Sequence, residues 1–167
     1  AAGLDRGTVS LDAIDEATFA AITDSGHTVA AVLAGIEAAE SVGLGPIKIN
    51  TVVKKGVNES ELLDLVERFS SRNIATRFIE YMDVGTTNGW DLQDVVTAQE
   101  IRELLGPLES VPPTHQGEVA KRFQLPQGGE VGLITSVTEP FCGDCNRVRL
   151  SADGHLYTCL FASEGLD

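Results

Sequence analysis

Basic residues are scarce in this chain of 167 residues: 12 lysines and arginines face 25 aspartates and glutamates, for a net charge of -13. Such a surface repels nucleic acid and anionic lipid, so neither is an expected partner. A nucleotide ligand is not excluded, because a few local cations suffice for it. There is no run of about 18 apolar residues, hence no expected membrane-spanning helix. No secretion leader is visible, which makes the cytoplasm, where thiols stay reduced, the expected compartment. Cysteine occurs three times, and a disulfide framework would leave one thiol over. Methionine occurs once, as Met82, and the chain opens AAGLDRG and closes EGLD directly after an apolar CLFA run. It is expected to be a segment of a longer protein.

What is present alternates strands with helices. Thr8–Asp12 reads as a short strand with Ser10 and Asp12 on one face. Helices are expected over Asp15–Thr23 and Thr28–Val42; in the second, Val29, Val32, Leu33, Ile36 and Ala39 keep helical spacing and Gly43 closes it. Pro46–Val53 is rich in β-branched residues and reads as a strand, Glu59–Arg72 as an amphipathic helix, and Ala75–Met82 as another strand. Strand, helix and strand in so few residues imply parallel βαβ units of an α/β fold. About three strands are too few for a closed barrel. After Met82 the character changes. Asp83–Asp91 is a Gly/Asn-rich loop, Thr97–Glu100 a capping box opening a helix to Leu105, and Pro107–Gly117 a Pro-rich linker. Two hairpins follow, Val119–Leu125 with Glu130–Val137 and Arg147–Ser151 with His155–Phe161, turning at Gln127-Gly128-Gly129 and Asp153-Gly154.

Cys142, Cys145 and Cys159 form C-x2-C-x13-C. Thiolates with this spacing suit zinc, with His155 as a fourth ligand, or a [4Fe–4S] cluster with one open iron; redox-active or inert thiols are the remaining readings. Arg147 and Arg149 share a strand face beside these cysteines, which points to an anion pocket or to a salt-bridged surface pair. A two-residue turn at Asp153-Gly154 would pair Val148 with Cys159 and set that sulfur opposite the arginines. A three-residue turn would pair Arg147 with Cys159 and bring them together. Lys48 and Asn50 share a face of an otherwise apolar strand, which marks a barrel lumen or one wet face of an edge strand. Glu80 and Met82 are expected to share a face at the end of their strand.

Five segments, VSLDAID (9–15), IKINTVVKKGVN (47–58), RFIEYMDVGTTNGWD (77–91), GLITSVTEPFCGDCNRVRLSADG (132–154) and YTCLFA (157–162), together resemble the GTP 3′,8-cyclase family, the MoaA type of radical S-adenosylmethionine enzyme in molybdenum cofactor biosynthesis. The resemblance implies an incomplete (βα)6 TIM-like barrel followed by a small α+β domain with antiparallel strands. Residues 1–82 would then be the last βα units, and residues 83–167 the C-terminal domain. It also implies a lyase-class reaction. An N-terminal cluster cleaves S-adenosylmethionine, the resulting radical takes the 3′ hydrogen of GTP, and C3′ closes onto C8. The product, (8S)-3′,8-cyclo-7,8-dihydroguanosine 5′-triphosphate, passes to cyclic pyranopterin monophosphate synthase. By position, Cys142, Cys145 and Cys159 match ligands of the second [4Fe–4S] cluster. Lys48, Arg147 and Arg149 match GTP contacts, and Ser10 and Met82 match S-adenosylmethionine contacts.

The family's C-x3-C-x2-C motif for the first cluster is absent here, as are the first barrel strands and the Gly-Gly tail. The isolated chain is therefore expected to be inactive as a cyclase. Unpaired edge strands favour oligomerisation, a homodimer being the simplest outcome. Two rival readings are a zinc-stabilised, non-catalytic module and the auxiliary-cluster domain of a different radical enzyme.

Overall fold

The computed structural model describes residues 3–82, 84 and 89–166. β1 (Gly7–Ser10) leads through α1 (Glu16–Thr23) and α2 (Val29–Ser41) to β2 (Ile47–Val53), and α3 (Leu62–Ser70) leads on to β3 (Ala75–Glu80). Then come α4 (Ala98–Leu105), β4 (Glu109–Val111), β5 (Lys121–Gln124), β6 (Glu130–Ile134) and a small ribbon of β7 (Arg149–Leu150) and β8 (Leu156–Tyr157). The loop read at Asp83–Asp91 lies largely outside the described residues.

Three of the four α-helices, α1, α2 and α4, start where a short polar side chain satisfies free N–H groups, whereas α3 has no side-chain cap. Asp15 accepts from the N–H groups of Ala17 and Thr18, and Thr28 accepts from that of Ala31. Thr97 and Glu100 form the expected reciprocal capping box on α4. Lys55 also reaches Glu100 at 2.9 Å. That lysine first, and the Thr97 donors next, hold the Glu100 carboxyl down from 4.5 to about 2. A depressed carboxyl stabilises the fold above its unfolded pKa, so this contribution is complete above pH 4.5 and is lost as pH falls toward 2. Thr97→Ala is expected to lower the unfolding free energy by about 1 kcal/mol at pH 7, and Lys55→Met to move the acid loss to higher pH. Urea titrations at pH 7 and pH 3 read both; unchanged midpoints would contradict the account.

The six strands form one sheet in the order β1-β2-β3-β6-β5-β4. The pairs β1·β2, β2·β3 and β3·β6 are parallel, while β6·β5 and β5·β4 are antiparallel. The fold is α/β with a mostly parallel sheet, and that sheet runs unbroken across the change of character at Met82. One face is apolar. Ile47, Ile49 and Val53 of β2, Phe78 of β3, and Val131 and Leu133 of β6 are buried there. They join one core with Ile36 of α2, Leu62, Leu65, Val66 and Phe69 of α3, and Ile101 and Leu105 of α4. Burying such side chains, at about 1.5–3 kcal/mol each, holds the helices on that face. Gly129 turns the β5–β6 hairpin with φ of 93°, where a Cβ would stand 2.7 Å from the Ser70 Cβ, so only glycine lets the hairpin rest on α3.

Several expected boundaries change. The Pro-rich segment expected as linker contains edge strand β4. The last hairpin pairs over only two residues per strand, far fewer than its alternation implied. β1 ends at Ser10, and Asp12 turns back so that its carboxylate accepts from the Val52 N–H at 2.8 Å. Glu80 and Met82 do not share a face. β3 stops at Glu80, which is buried beside α4, whereas Met82 reaches the opposite side.

Candidate functional site

The second face of the sheet is polar. Register sets Ser10 beside Asn50, Asn50 beside Arg77, Arg77 beside Gly132 and Gly132 beside Arg122. At Gly132 a Cβ would lie 3.0 Å from the Arg77 Cγ, so the glycine leaves room for the arginine's stem. Above this row opens a cavity of about 510 Å³. Asn50, Arg77 and Met82 come to it from the sheet. Cys142, Cys145, Arg147, Arg149 and Cys159 come from the turn and ribbon that follow β6.

A 3₁₀ turn at Cys142–Asp144 carries the first cysteine and sets the second just past its end, where the Cys145 N–H meets the Cys142 carbonyl at 3.4 Å. The third arrives on the returning arm. Arg149 pairs with Tyr157 and Leu150 with Leu156, and the Ser151 N–H donates to the His155 carbonyl. Extended toward the cavity, this register sets Arg147 opposite Cys159. It is the three-residue turn, and it brings the sulfur and both arginines to one cavity.

All three cysteines are free and exposed. The Nε and Nη2 of Arg147 each donate to the Cys145 sulfur at 3.4 Å, and the guanidinium lies 5.0 Å from the Phe141 ring centre. The Arg147 backbone N–H first, and its guanidinium second, hold the Cys145 thiol below its ordinary pKa. Among the described residues, no group of three or more His, Cys, Asp or Glu is gathered tightly enough for a single metal ion. His155 sits in the hairpin turn, 3.3 Å from Asp153, and is not part of the cavity wall.

Two of the expected site residues stand apart. Lys48 lies two residues before Asn50 on β2 and lines a smaller neighbouring pocket of about 220 Å³ with Arg122 and Glu130. Burial first, then the Arg77 charge, push its ammonium pKa down, while Glu118 and Glu130 oppose them. Ser10 is exposed on edge strand β1 and lines neither pocket. One charged cavity residue was not singled out in the sequence. Arg77 falls within the strand read over Ala75–Met82 and was not singled out, although it alternates with buried Thr76 and Phe78 just as Asn50 alternates with Ile49 and Thr51.

Cys142, Cys145 and Cys159 thus stand beside Arg147 and Arg149 on the wall of one cavity. The chain belongs to the molybdenum cofactor synthesis C family, whose model matches residues 74–167. It is 51% identical to a GTP 3′,8-cyclase of Xanthomonas axonopodis pv. citri, over 99% of this chain and 51% of the relative. Proteins of the same name from Acidothermus cellulolyticus and Staphylococcus haemolyticus are 49% and 45% identical, over 99% and 97% of this chain and 47% and 48% of their own lengths. The chain thus spans about half the length of the curated relatives it matches. No helix among the described residues is long and apolar enough to cross a membrane.

Proposed function

We propose that this chain forms the GTP-binding end of a cytoplasmic GTP 3′,8-cyclase, which converts GTP to (8S)-3′,8-cyclo-7,8-dihydroguanosine 5′-triphosphate in molybdenum cofactor biosynthesis. The observation that carries the reading is the meeting of three cysteines and three arginines in one cavity of about 510 Å³, a volume suited to a nucleotide. Cys142, Cys145 and Cys159 would hold a [4Fe–4S] cluster, whose iron without a protein ligand offers a coordination position to a nitrogen or oxygen of the base.

The chain's own residues bind and orient. Arg147 and Arg149 present guanidinium groups next to the cysteine turn, suited to paired hydrogen bonds with phosphate or carbonyl oxygen. Arg77 adds a third cation from the sheet, and Lys48 sits below the row as a partly desolvated ammonium. Holding the substrate at several points fixes the ribose relative to the base, which raises the rate of an intramolecular ring closure. Met82 and Ser10, at the C-terminal ends of parallel strands, lie on the side where S-adenosylmethionine would sit. On this reading residues 1–82 are the last βα units of a partial barrel, residues 83–167 form the C-terminal domain, and the product passes to cyclic pyranopterin monophosphate synthase.

Anaerobic reconstitution tests the reading. About four irons and four sulfides per chain, with GTP affinity that depends on them, are expected. Stoichiometric zinc without GTP binding would overturn it. The isolated 167-residue chain is expected to form no cyclised product by chromatography, because it has no cysteines for a second cluster; turnover by this chain alone would contradict that.

A further inference from the structure

Arg77 already has an anionic partner inside the cavity region. Its Nη2 lies 3.7 Å from Glu118 Oε1, with the arginine side chain 19% exposed and the glutamate side chain 3% exposed. That separation is too long for a hydrogen bond, so the contact is purely Coulombic. Glu118's hydrogen bonds go elsewhere. Its Oε2 accepts from the Thr114 N–H at 2.7 Å and from the Thr114 hydroxyl at 3.0 Å. Burial raises the Glu118 carboxyl, but the Thr114 donors and the charges of Arg122 and His115 outweigh it and leave it lowered. The carboxylate is thus tied to its own turn and only leans on Arg77. The guanidinium stays on the cavity wall with its hydrogen bonds uncommitted among the described residues.

Glu118 also belongs to the segment that roofs the site. Residues 115–118 line a pocket shared with Phe141 and Cys145, and Val119 lines the main cavity. The other arginine in this row, Arg122, is held by Glu130 through both Nε and Nη2. Two guanidinium groups side by side therefore differ. Arg122 is locked in a two-point pair, and Arg77 has a loose one.

We propose that Glu118 is a built-in competitor for Arg77: it neutralises the half-buried guanidinium while the cavity is empty, and a phosphate oxyanion of the substrate displaces it on binding. The inference rests on the GTP reading for its ligand and deepens it by naming what sets the strength of the phosphate contact. Glu118 acts through Arg77 and is a positioning residue. Its carboxylate repels an arriving phosphate and holds the cation at the same time, so affinity is kept below what the arginine alone would give. A purely structural counter-ion predicts the reverse, because removing it would disorder Arg77 and weaken binding.

The test is calorimetric titration of inorganic tripolyphosphate, and separately of GTP, into the reconstituted full natural chain. Glu118→Gln is expected to bind tripolyphosphate about tenfold tighter than the parent, and the gain is expected to vanish in the Arg77→Ala background. Thr114→Val leaves the ion pair in place but removes a hydroxyl that draws Oε2 away from Arg77; it is expected to weaken tripolyphosphate binding several-fold. Equal or weaker binding by folded Glu118→Gln, or a gain that survives without Arg77, would overturn the proposal. If Glu118→Gln does not fold, unchanged or tighter binding by Thr114→Val would overturn it. The GTP reading fails separately, if GTP binds no better than tripolyphosphate whatever Glu118→Gln does.

Discussion

Glu80→Ala is expected to be the most destabilising single change in this chain, lowering the unfolding free energy by about 4 kcal/mol and the melting temperature by about 10 °C. Glu80 is 1% exposed. Its carboxyl oxygens accept from the N–H of Ala98 at 2.9 Å, the N–H of Val137 at 2.8 Å, the N–H of Thr138 at 2.9 Å and the Thr138 hydroxyl. One side chain thus ties the end of β3 to the start of α4 and to the loop that leads from β6 into the cysteine turn. Alanine would leave three backbone donors without partners, and burying an unpaired donor costs about 1–3 kcal/mol. Glu80→Gln keeps one acceptor oxygen but turns an NH2 toward N–H groups, so an intermediate loss is expected. Thermal unfolding followed by circular dichroism reads the series. A shift under about 2 °C for alanine would show that the loop is held by other means. Nearby, the Thr135 hydroxyl donates to the Glu139 carbonyl at 2.8 Å, and Arg102 of α4 reaches the Glu139 carboxylate at 3.6 Å. The platform under the cysteines is therefore built from the core outward, by residues that touch no ligand.

Replacing any one of Cys142, Cys145 or Cys159 by alanine is expected to have the opposite profile. All three are exposed and lie outside the core, so the metal-free fold should change by less than about 0.5 kcal/mol. Cluster content after reconstitution should drop from about four irons per chain to a small residue, because a cube held by two thiolates at a solvent-open site is readily lost. Iron and sulfide analysis alongside thermal unfolding separates the two effects. Full iron retention in the Cys159→Ala protein would remove that residue from the ligand set.

Local patterns were legible wherever local forces decide the outcome. The capping box at Thr97 opens its helix as read, the helices expected from Asp15 and Thr28 form with those residues as their caps, and the β-branched run at Ile47–Val53 is a strand, because these features depend on neighbours a few residues away. Strand order was less legible. That β6 lies beside β3 and carries β5 and β4 on its far edge is set by packing between distant segments. β4 went unread because three residues amid prolines show no periodicity, and its pairing with β5 makes it a strand. Alternation failed at Glu80 and Met82 for a plain reason: the period of two holds only while the strand lasts, and β3 ends between them. The cysteines and the two ribbon arginines were legible by residue type and spacing. Their meeting on one wall was not, since it depends on a turn of two or three residues that the sequence left open. Arg77 was not singled out, although the same alternation that selected Lys48 and Asn50 also selects it. Lys48 lies on the same face as Asn50, as its spacing implied, yet it opens onto the adjacent pocket rather than the cysteine cavity.

The central claim is that the cavity behind Cys142, Cys145 and Cys159 joins an open-iron cluster to a GTP site. Electron paramagnetic resonance of the reduced, reconstituted protein during a GTP titration tests it most directly. The account predicts a saturable change in the cluster's spectrum with GTP, weakened in the Arg147→Ala and Arg149→Ala proteins and absent in Cys159→Ala. A fully loaded cluster whose spectrum ignores saturating GTP would contradict it.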